Sequence, residues 1–266
     1  KFDYFSPDEK NRLSVFASAA NTDRDSYYGP GNDPLKAYGK TTDLTAMGGA
    51  QYVHTFDKCF FMPSDLTAGL EYNRDRLKDN MWGYNSHTDQ TVNIYSAFLQ
   101  NEWKNDRWGI LIGGRLDKHN MVDNVIFSPR ANLRFNPTQN INLRLSYSSG
   151  FRAPQAFDED MHIENVGGTV AMIERAKDLK EEKSQSFSVS ADMYHRFGAF
   201  QTNLLIEGFY TRLTDVFVLG KPYDRGDGIL VKTRSNGPGA KVMGLTLEGK
   251  VAYLSILQIQ AGLTLQ

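Results

Sequence analysis

The side chains best placed to do chemistry are the run Asp158-Glu159-Asp160, with His162 two residues beyond it. Carboxylates beside an imidazole could hold a metal or meet a cationic group of a ligand. A hard cation needs several oxygens converging in space, and three consecutive residues establish only adjacency. The plainer reading of the run is a solvated loop face. The remaining histidines, His54, His87, His119 and His195, have no HxxxH or HExxH spacing, so no metal site is expected. The lone Cys59 can form neither an internal disulfide nor a cysteine-rich metal site. There is no GxSxG elbow, P-loop or GxGxxG after a strand. A nucleophile and base on a strand would need a Ser and a His on one face. His195 shares the register of Phe187, Val189 and Met193, while Ser188 and Ser190 fall on the other face. No catalytic residue and no resident cofactor are expected.

The elements that must position these residues repeat with period two, the signature of strands with one apolar and one polar face. Trp108, Ile110, Ile112 and Leu116 alternate with Gly109, Gly113, Arg115 and Asp117; Ile141, Leu143, Leu145 and Tyr147 alternate with Asn142, Arg144, Ser146 and Ser148. Met243, Leu245 and Leu247 against Thr246 and Glu248 repeat the pattern, as do Leu257, Ile259, Ala261, Leu263 and Leu265 against Gln258, Gln260 and Thr264. A soluble sandwich would alternate equally well. Aromatics at the ends of the apolar faces (Tyr72, Trp108, Phe135, Tyr147, Tyr253) instead suit the interfacial girdles of a membrane barrel.

The connections separate into two classes. Short ones fall near Asn105-Asp106, at 136–139, 197–199 and 253–255, with 57–65 a looser member. Long ones run over about 23–40, 74–90, 119–127, 151–182 and 215–239. Tight turns at one end and extended loops at the other are the rhythm of an outer-membrane barrel. The expectation is an all-β, antiparallel transmembrane β-barrel, partial, with roughly eleven strands; since bacterial barrels close with an even number, the segment is expected to be incomplete. Helix is expected to be scarce, with one short turn at Val170 to Lys177. No low-complexity tract or linker divides the chain, which reads as one segment, 1–266.

Composition narrows the function classes. The 266 residues hold 30 basic and 31 acidic side chains, a net charge of -1, so no global field would attract nucleic acid. Mean hydropathy is -0.47, with 23 Gly, 13 Tyr and 16 Phe. No apolar run approaches the roughly 20 residues of a membrane helix. Barrel strands escape such a scan because lipid-facing and lumen-facing residues alternate. The chain opens at Lys1 without a signal peptide and is expected to be an internal segment.

Four segments then carry a resemblance. An alternating strand from Leu145 is expected to break at Gly150 into Gly150-Phe151-Arg152-Ala153-Pro154, and a strand re-enters after Leu179-Lys180-Glu181-Glu182-Lys183-Ser184. Upstream stands Phe127-Ser128-Pro129-Arg130-Ala131-Asn132-Leu133, and downstream Ser235-Asn236-Gly237-Pro238-Gly239 leads to Gly244. Their types and order resemble the barrel of TonB-dependent outer-membrane receptors. Many relatives carry a proline where Glu181 stands. The resemblance implies a receptor in the Gram-negative outer membrane that binds a scarce large ligand (ferric siderophore, cobalamin or haem). It would import that ligand with energy from TonB, ExbB and ExbD, and without covalent chemistry. It also implies a plug domain and a TonB-contacting box, both expected in an amino-terminal region absent here. The outer loop with Asp158, Glu159, Asp160 and His162 is the expected ligand contact. Haem receptors of the family carry a histidine after FRAP, where His162 stands, but the downstream box departs from the haem pattern. Arg152 is expected to pair with lumenal carboxylates or the plug, Pro154 to stop the ladder, and Asn236 and Gly244 to shape the barrel. The rival readings are a barrel enzyme and a passive porin.

Overall fold

Alternating apolar and polar residues, joined by turns too short to leave the sheet edge, pair each strand with the next. The computed structural model describes residues 1–27, 38–84, 86–156, 164–166, 169–226, 230–254 and 256–266. The strands are β1 (Phe2–Phe5), β2 (Asn11–Tyr27), β3 (Tyr38–Cys59), β4 (Met62–Met81), β5 (Ser86–Lys104), β6 (Trp108–His119), β7 (Ile126–Thr138) and β8 (Ile141–Arg152). They continue as β9 (Glu164–Val166), β10 (Thr169–Arg175), β11 (Glu182–Phe197), β12 (Phe200–Thr214), β13 (Phe217–Leu219), β14 (Tyr223–Asp224), β15 (Leu230–Asn236), β16 (Ala240–Tyr253) and β17 (Leu257–Leu265). One antiparallel sheet of twelve strands runs β1 to β8, then β11, β12, β16 and β17. It has twelve strands rather than roughly eleven; β1, only four residues tied to β2, is short enough to escape a count of long alternating runs.

The ladders fix which residues share a face. Leu145 lies opposite Val189, Val189 opposite Gly208, and Gly208 opposite Leu245, all on the apolar face. Much of this face is open: Leu70, Ile112, Val189 and Met243 are each more than half exposed. A continuous apolar surface of this extent is what lipid would cover. Aromatics mark its two edges. One ring stacks Phe61 on Trp103 at 5.7 Å, Trp108 on Phe135 at 4.2 Å and Phe197 on Phe200 at 5.4 Å. The other pairs Tyr72 with Tyr95 at 4.9 Å and Tyr147 with Phe187 at 4.7 Å. Along β5 the rings are separated by the stretch Tyr95 to Trp103, roughly 26 Å of strand before tilt. The tight turns lie at the first edge, where Gly198 adopts φ +58, a conformation glycine takes without strain.

One of the expected long loops is mostly strand. β3, β4 and β5 have 22, 20 and 19 residues, about twice what a bilayer requires, and continue past the Tyr72–Tyr95 row. The connection expected over 74–90 shrinks to 82–85, opening with a 3-10 turn at Trp82–Tyr84. The polar side chains that suggested loop here line both faces of a ladder that runs on beyond the Tyr72–Tyr95 row. The turn expected at Val170 to Lys177 is instead mostly β10. With β9, β13, β14 and β15 it forms a second sheet, in which β10 and β15 run parallel. Ladder pairing across 60 residues overrode local preference there. Among the described residues no helix is long and apolar enough to cross a membrane.

Candidate functional site

Three of the four family segments, 150–154, 179–184 and 235–239, meet at one corner of the open rim. Strand β8 does not break at Gly150; it pairs Gly150 with Ser184, Phe151 with Lys183 and Arg152 with Glu182. The strand ends at Arg152, and Ala153 and Pro154 turn in and become buried. Arg152 lies over the Phe217 ring at 5.5 Å, while the Glu182 carboxylate accepts the Phe217 backbone N–H at 2.8 Å. Asn236 closes the corner. Its side-chain oxygen accepts from the Lys180 N–H at 2.7 Å, and its amide nitrogen donates to the carbonyls of Lys180 at 3.0 Å and Asp215 at 2.7 Å. Leu179 N–H donates to the Ala176 carbonyl at 3.3 Å, completing the turn between the motifs. At Glu181, burial would raise the carboxyl, but the hydrogen bond from Lys183, a backbone hydrogen bond and the charges of Lys183 and Lys180 together outweigh it and hold the pKa below the ordinary value.

Beside this corner is a cavity of about 670 Å³. Its lining includes His87, Met121, Pro154, Glu174, Arg175, Lys177 and Arg225. It falls within the usual size range of ligand sites. Arg175 donates to Gln90 Oε1 at 2.8 Å and to the Pro154 carbonyl at 3.2 Å, and the Ala156 N–H donates to the same Gln90 oxygen at 2.8 Å. Arg225 donates to the Tyr84 carbonyl at 2.8 Å and stands 4.0 Å from Glu174. Among the described lining residues, three cationic side chains stand beside one carboxylate, a positive balance suited to an anionic ligand. His119, which is fully buried, links Met121 of the lining to Gln155. Nδ1 of His119 accepts from the Met121 N–H at 3.0 Å, so the ring proton lies on Nε2 and is donated to Gln155 Oε1 at 3.1 Å. Burial lowers the His119 pKa despite the Gln155 hydrogen bond and the Asp117 charge.

Below the rim the polar face forms a lumenal wall of linked charges. Arg115 bridges Glu71 at 2.6 Å and Asp117 at 2.8 Å, and Asp117 accepts from Ser96 at 2.6 Å. Above the Tyr72–Tyr95 row two carboxyls meet: Asp75 is pushed up to about 6, first by burial, then by the charge of Asp43 and the hydrogen bond between them.

Of the residues expected to contact ligand, Asp158, Glu159, Asp160 and His162 lie outside the described residues. The motif residues do converge, through contacts the sequence did not disclose. At Gly244 a Cβ would stand 2.5 Å from the Leu265 carbonyl and 2.6 Å from the Phe209 ring, so the site demands close approach. At Gly150 an added Cβ would meet only Ser184 Oγ at 3.4 Å. Arg175, Arg225, Gln90 and His119 carried no motif; the signal that could have found Arg175 and Arg225 is their place in long segments between barrel strands.

Solved structures share this architecture. The siderophore receptor PirA from Acinetobacter baumannii aligns with TM-score 0.65 at 17% identity, over 91% of this chain and 40% of that one. A ferric enterobactin receptor (PfeA) mutant from Pseudomonas aeruginosa aligns with TM-score 0.67 at 18% identity, over 96% and 40%. The FrpB iron transporter from Neisseria meningitidis gives TM-score 0.68 at 15% identity, over 98% and 42%. The chain thus spans about two fifths of the length of these proteins. Comparison with curated protein sequences finds no match. A family model described as TonB dependent receptor-like, beta-barrel, matches residues 2–266, and the chain belongs to that family.

Proposed function

We propose that this chain is one part of the barrel wall of an outer-membrane receptor that captures an anionic ferric siderophore at its outer rim. The receptor would import it with energy supplied by TonB, ExbB and ExbD through a plug encoded outside this segment. The observation that carries the reading is the rim cavity, where Arg175, Lys177 and Arg225 stand with Glu174 as the one carboxylate among the described lining residues. Structures named for a siderophore receptor, a ferric enterobactin receptor and an iron transporter share the fold and support the same direction. Haem and cobalamin are the competing ligands, with His162 the residue that would favour haem. A receptor of this kind does no covalent chemistry, which sets it apart from a barrel enzyme; energy-dependent capture sets it apart from a passive porin.

The test is binding of ferric siderophores, cobalamin and haem to the full-length receptor that carries this segment, beside Arg175→Gln/Arg225→Gln and His162→Ala. A ferric siderophore should bind, weaken about tenfold or more with the double variant, and ignore His162→Ala. Tight haem binding abolished by His162→Ala would replace this reading with the haem one. Binding of none would return the porin and enzyme readings.

A further inference from the structure

His119 is fully buried and does not line the rim cavity, yet both of its ring nitrogens are engaged. Nδ1 accepts the Met121 N–H at 3.0 Å, and Nε2 donates to Gln155 Oε1 at 3.1 Å. Only the neutral ring can do both. An imidazolium carries a proton on each nitrogen and would set an N–H against the Met121 N–H, with no exposed surface through which water could take over.

What the ring holds leads to the cavity. Val122, next to Met121, packs with Ile126 on Ala153, and Phe151 lies against the same cluster. Gln155 follows Pro154, whose carbonyl accepts from Arg175 at 3.2 Å. The next N–H, that of Ala156, donates to Gln90 Oε1, the oxygen that also accepts from Arg175 at 2.8 Å. Met121, Pro154 and Arg175 all line the cavity. One ring thus braces two segments, 119–122 and 153–156, and the second of them holds the Arg175 guanidinium at Pro154 and shares Gln90 with it.

Few charges bear on this ring. Asp117 shares its face of β6, and that carboxylate already meets Arg115 and Ser96. Lys118 lies on the other face, its ammonium on the carbonyls of Val122 and Asp123. On β5 the same-face neighbours Val92, Ile94 and Ser96 do not titrate. The turn 153–156 brings no charged residue, and 120–126 brings only Asp123, which is exposed. Farther off stand Arg175 across Gln90 and Asp75 across Val92, with Asp75 pushed up to about 6.

We infer that neutral His119 is a positioning residue that holds the Pro154–Ala156 turn, and through it Arg175, in the arrangement that takes the ligand, and that a proton on the ring releases both, so that capture weakens in acid. The inference rests on the rim cavity being the ligand site, as proposed above, and adds its regulation by pH. Burial disfavours the imidazolium and keeps the held ring below its ordinary value, whereas a released, solvated ring titrates near 6.5. Above about pH 6.5 the brace is at full strength; below it each pH unit favours the released form by up to about tenfold, until the held ring itself takes a proton.

The experiment compares the full-length receptor with His119→Asn between about pH 7.5 and about pH 5.5, in detergent, with folding checked by heat-modifiable gel mobility. The asparagine oxygen can still accept the Met121 N–H but does not titrate. Amide exchange in peptides spanning 119–122 and 153–156, corrected for the intrinsic rate at each pH, reads the brace; ferric enterobactin, an anionic siderophore, reads capture. In wild type, protection and affinity should both fall about fivefold or more across this range, and in His119→Asn both should stay within about twofold. Asp75 is intact in the variant, so a fall that persists there would assign the effect to carboxylates and overturn the inference. Wild-type protection that ignores pH would overturn it whether or not the variant folds, and protection that falls while affinity holds would break the link to Arg175 and overturn it too. The expected exchange response in protein that binds no ferric enterobactin at any pH would instead overturn the reading of the cavity as an anionic-siderophore site.

Discussion

The membrane wall and the rim above it are built from the same antiparallel strands, yet they obey different rules. In the wall, position along a strand decides environment. Ile206 faces outward and Glu207 inward because successive side chains alternate, and neighbours such as Ala191 and Leu247 share the outward face through the ladder. At the rim, environment is decided by residues far away in sequence: Asn236 holds Lys180 and Asp215, His119 holds Gln155, and Arg175 reaches Gln90. The wall is therefore a local code read in two-residue steps, whereas the rim is a set of long-range hydrogen bonds around a cavity.

The largest effect should come from violating the wall's code. Ile206→Arg puts a cation on the lipid face between the aromatic rings and should cost about 2–4 kcal/mol of barrel stability. Glu207→Arg, one residue on but lumenal, should cost under about 1 kcal/mol. Urea unfolding of the full-length receptor in vesicles checks both, and equal costs would erase the distinction between faces.

Backbone spacing comes next. Gly244→Ala should cost about 1–3 kcal/mol, because the new methyl group presses on the Leu265 carbonyl and the Phe209 ring. Gly150→Ala, in the motif that looks most distinctive, should be within about 0.5 kcal/mol of neutral, because its nearest neighbour is the Ser184 hydroxyl at 3.4 Å. The same unfolding assay should rank the two in that order.

At the rim, Asn236→Ala removes three hydrogen bonds at once and should cost about 2 kcal/mol locally. Amide exchange should speed up around 177–182 and 215–217 while β11 and β12 below remain protected. Loss of protection throughout both strands would mean that rim and wall fold as one unit.

The smallest effect is electrostatic. The folded pKa of Asp75, about 6, lies above its ordinary 3.8, so ionising it costs stability above pH 6. That cost fades as pH falls through 6 and is gone below about pH 4, where the carboxyl is protonated in both states. Asp75→Asn should therefore stabilise the upper strands by about 1 kcal/mol at pH 7, a modest figure because the pair is partly solvated, and by nothing near pH 4. A stability gain that ignores pH would show that the pair does not share a proton.

How much was legible beforehand follows the same division. The alternation of Ile141 to Tyr147 and of Met243 to Leu247, the aromatic edges and the short turns could be read directly, because each depends on neighbours two residues away. The family motifs located the corner, but not that Asn236 binds across it to Lys180. Charged stretches such as Arg74 to Lys78 suggested loop, since polarity alone does not separate a solvated ladder from a turn. Nothing local marks β10 as a strand, because its partner β15 begins nearly 60 residues away. Arg175 and Arg225 escaped notice for the same reason: their places in the cavity are set by a sheet assembled from distant segments.

The most direct test of the central claim, that this sheet is a membrane wall with one lipid face and one lumenal face, is a scan of single cysteines along β16. Spin labels would be placed at position 243 and at positions 245 to 248 of the full-length receptor in vesicles, with Cys59 replaced by serine, and their accessibility to oxygen and to a water-soluble nickel chelate measured. Labels at Met243, Leu245 and Leu247 should favour oxygen, while those at Thr246 and Glu248 should favour nickel or be shielded from both. Equal nickel accessibility at odd and even positions would contradict the account.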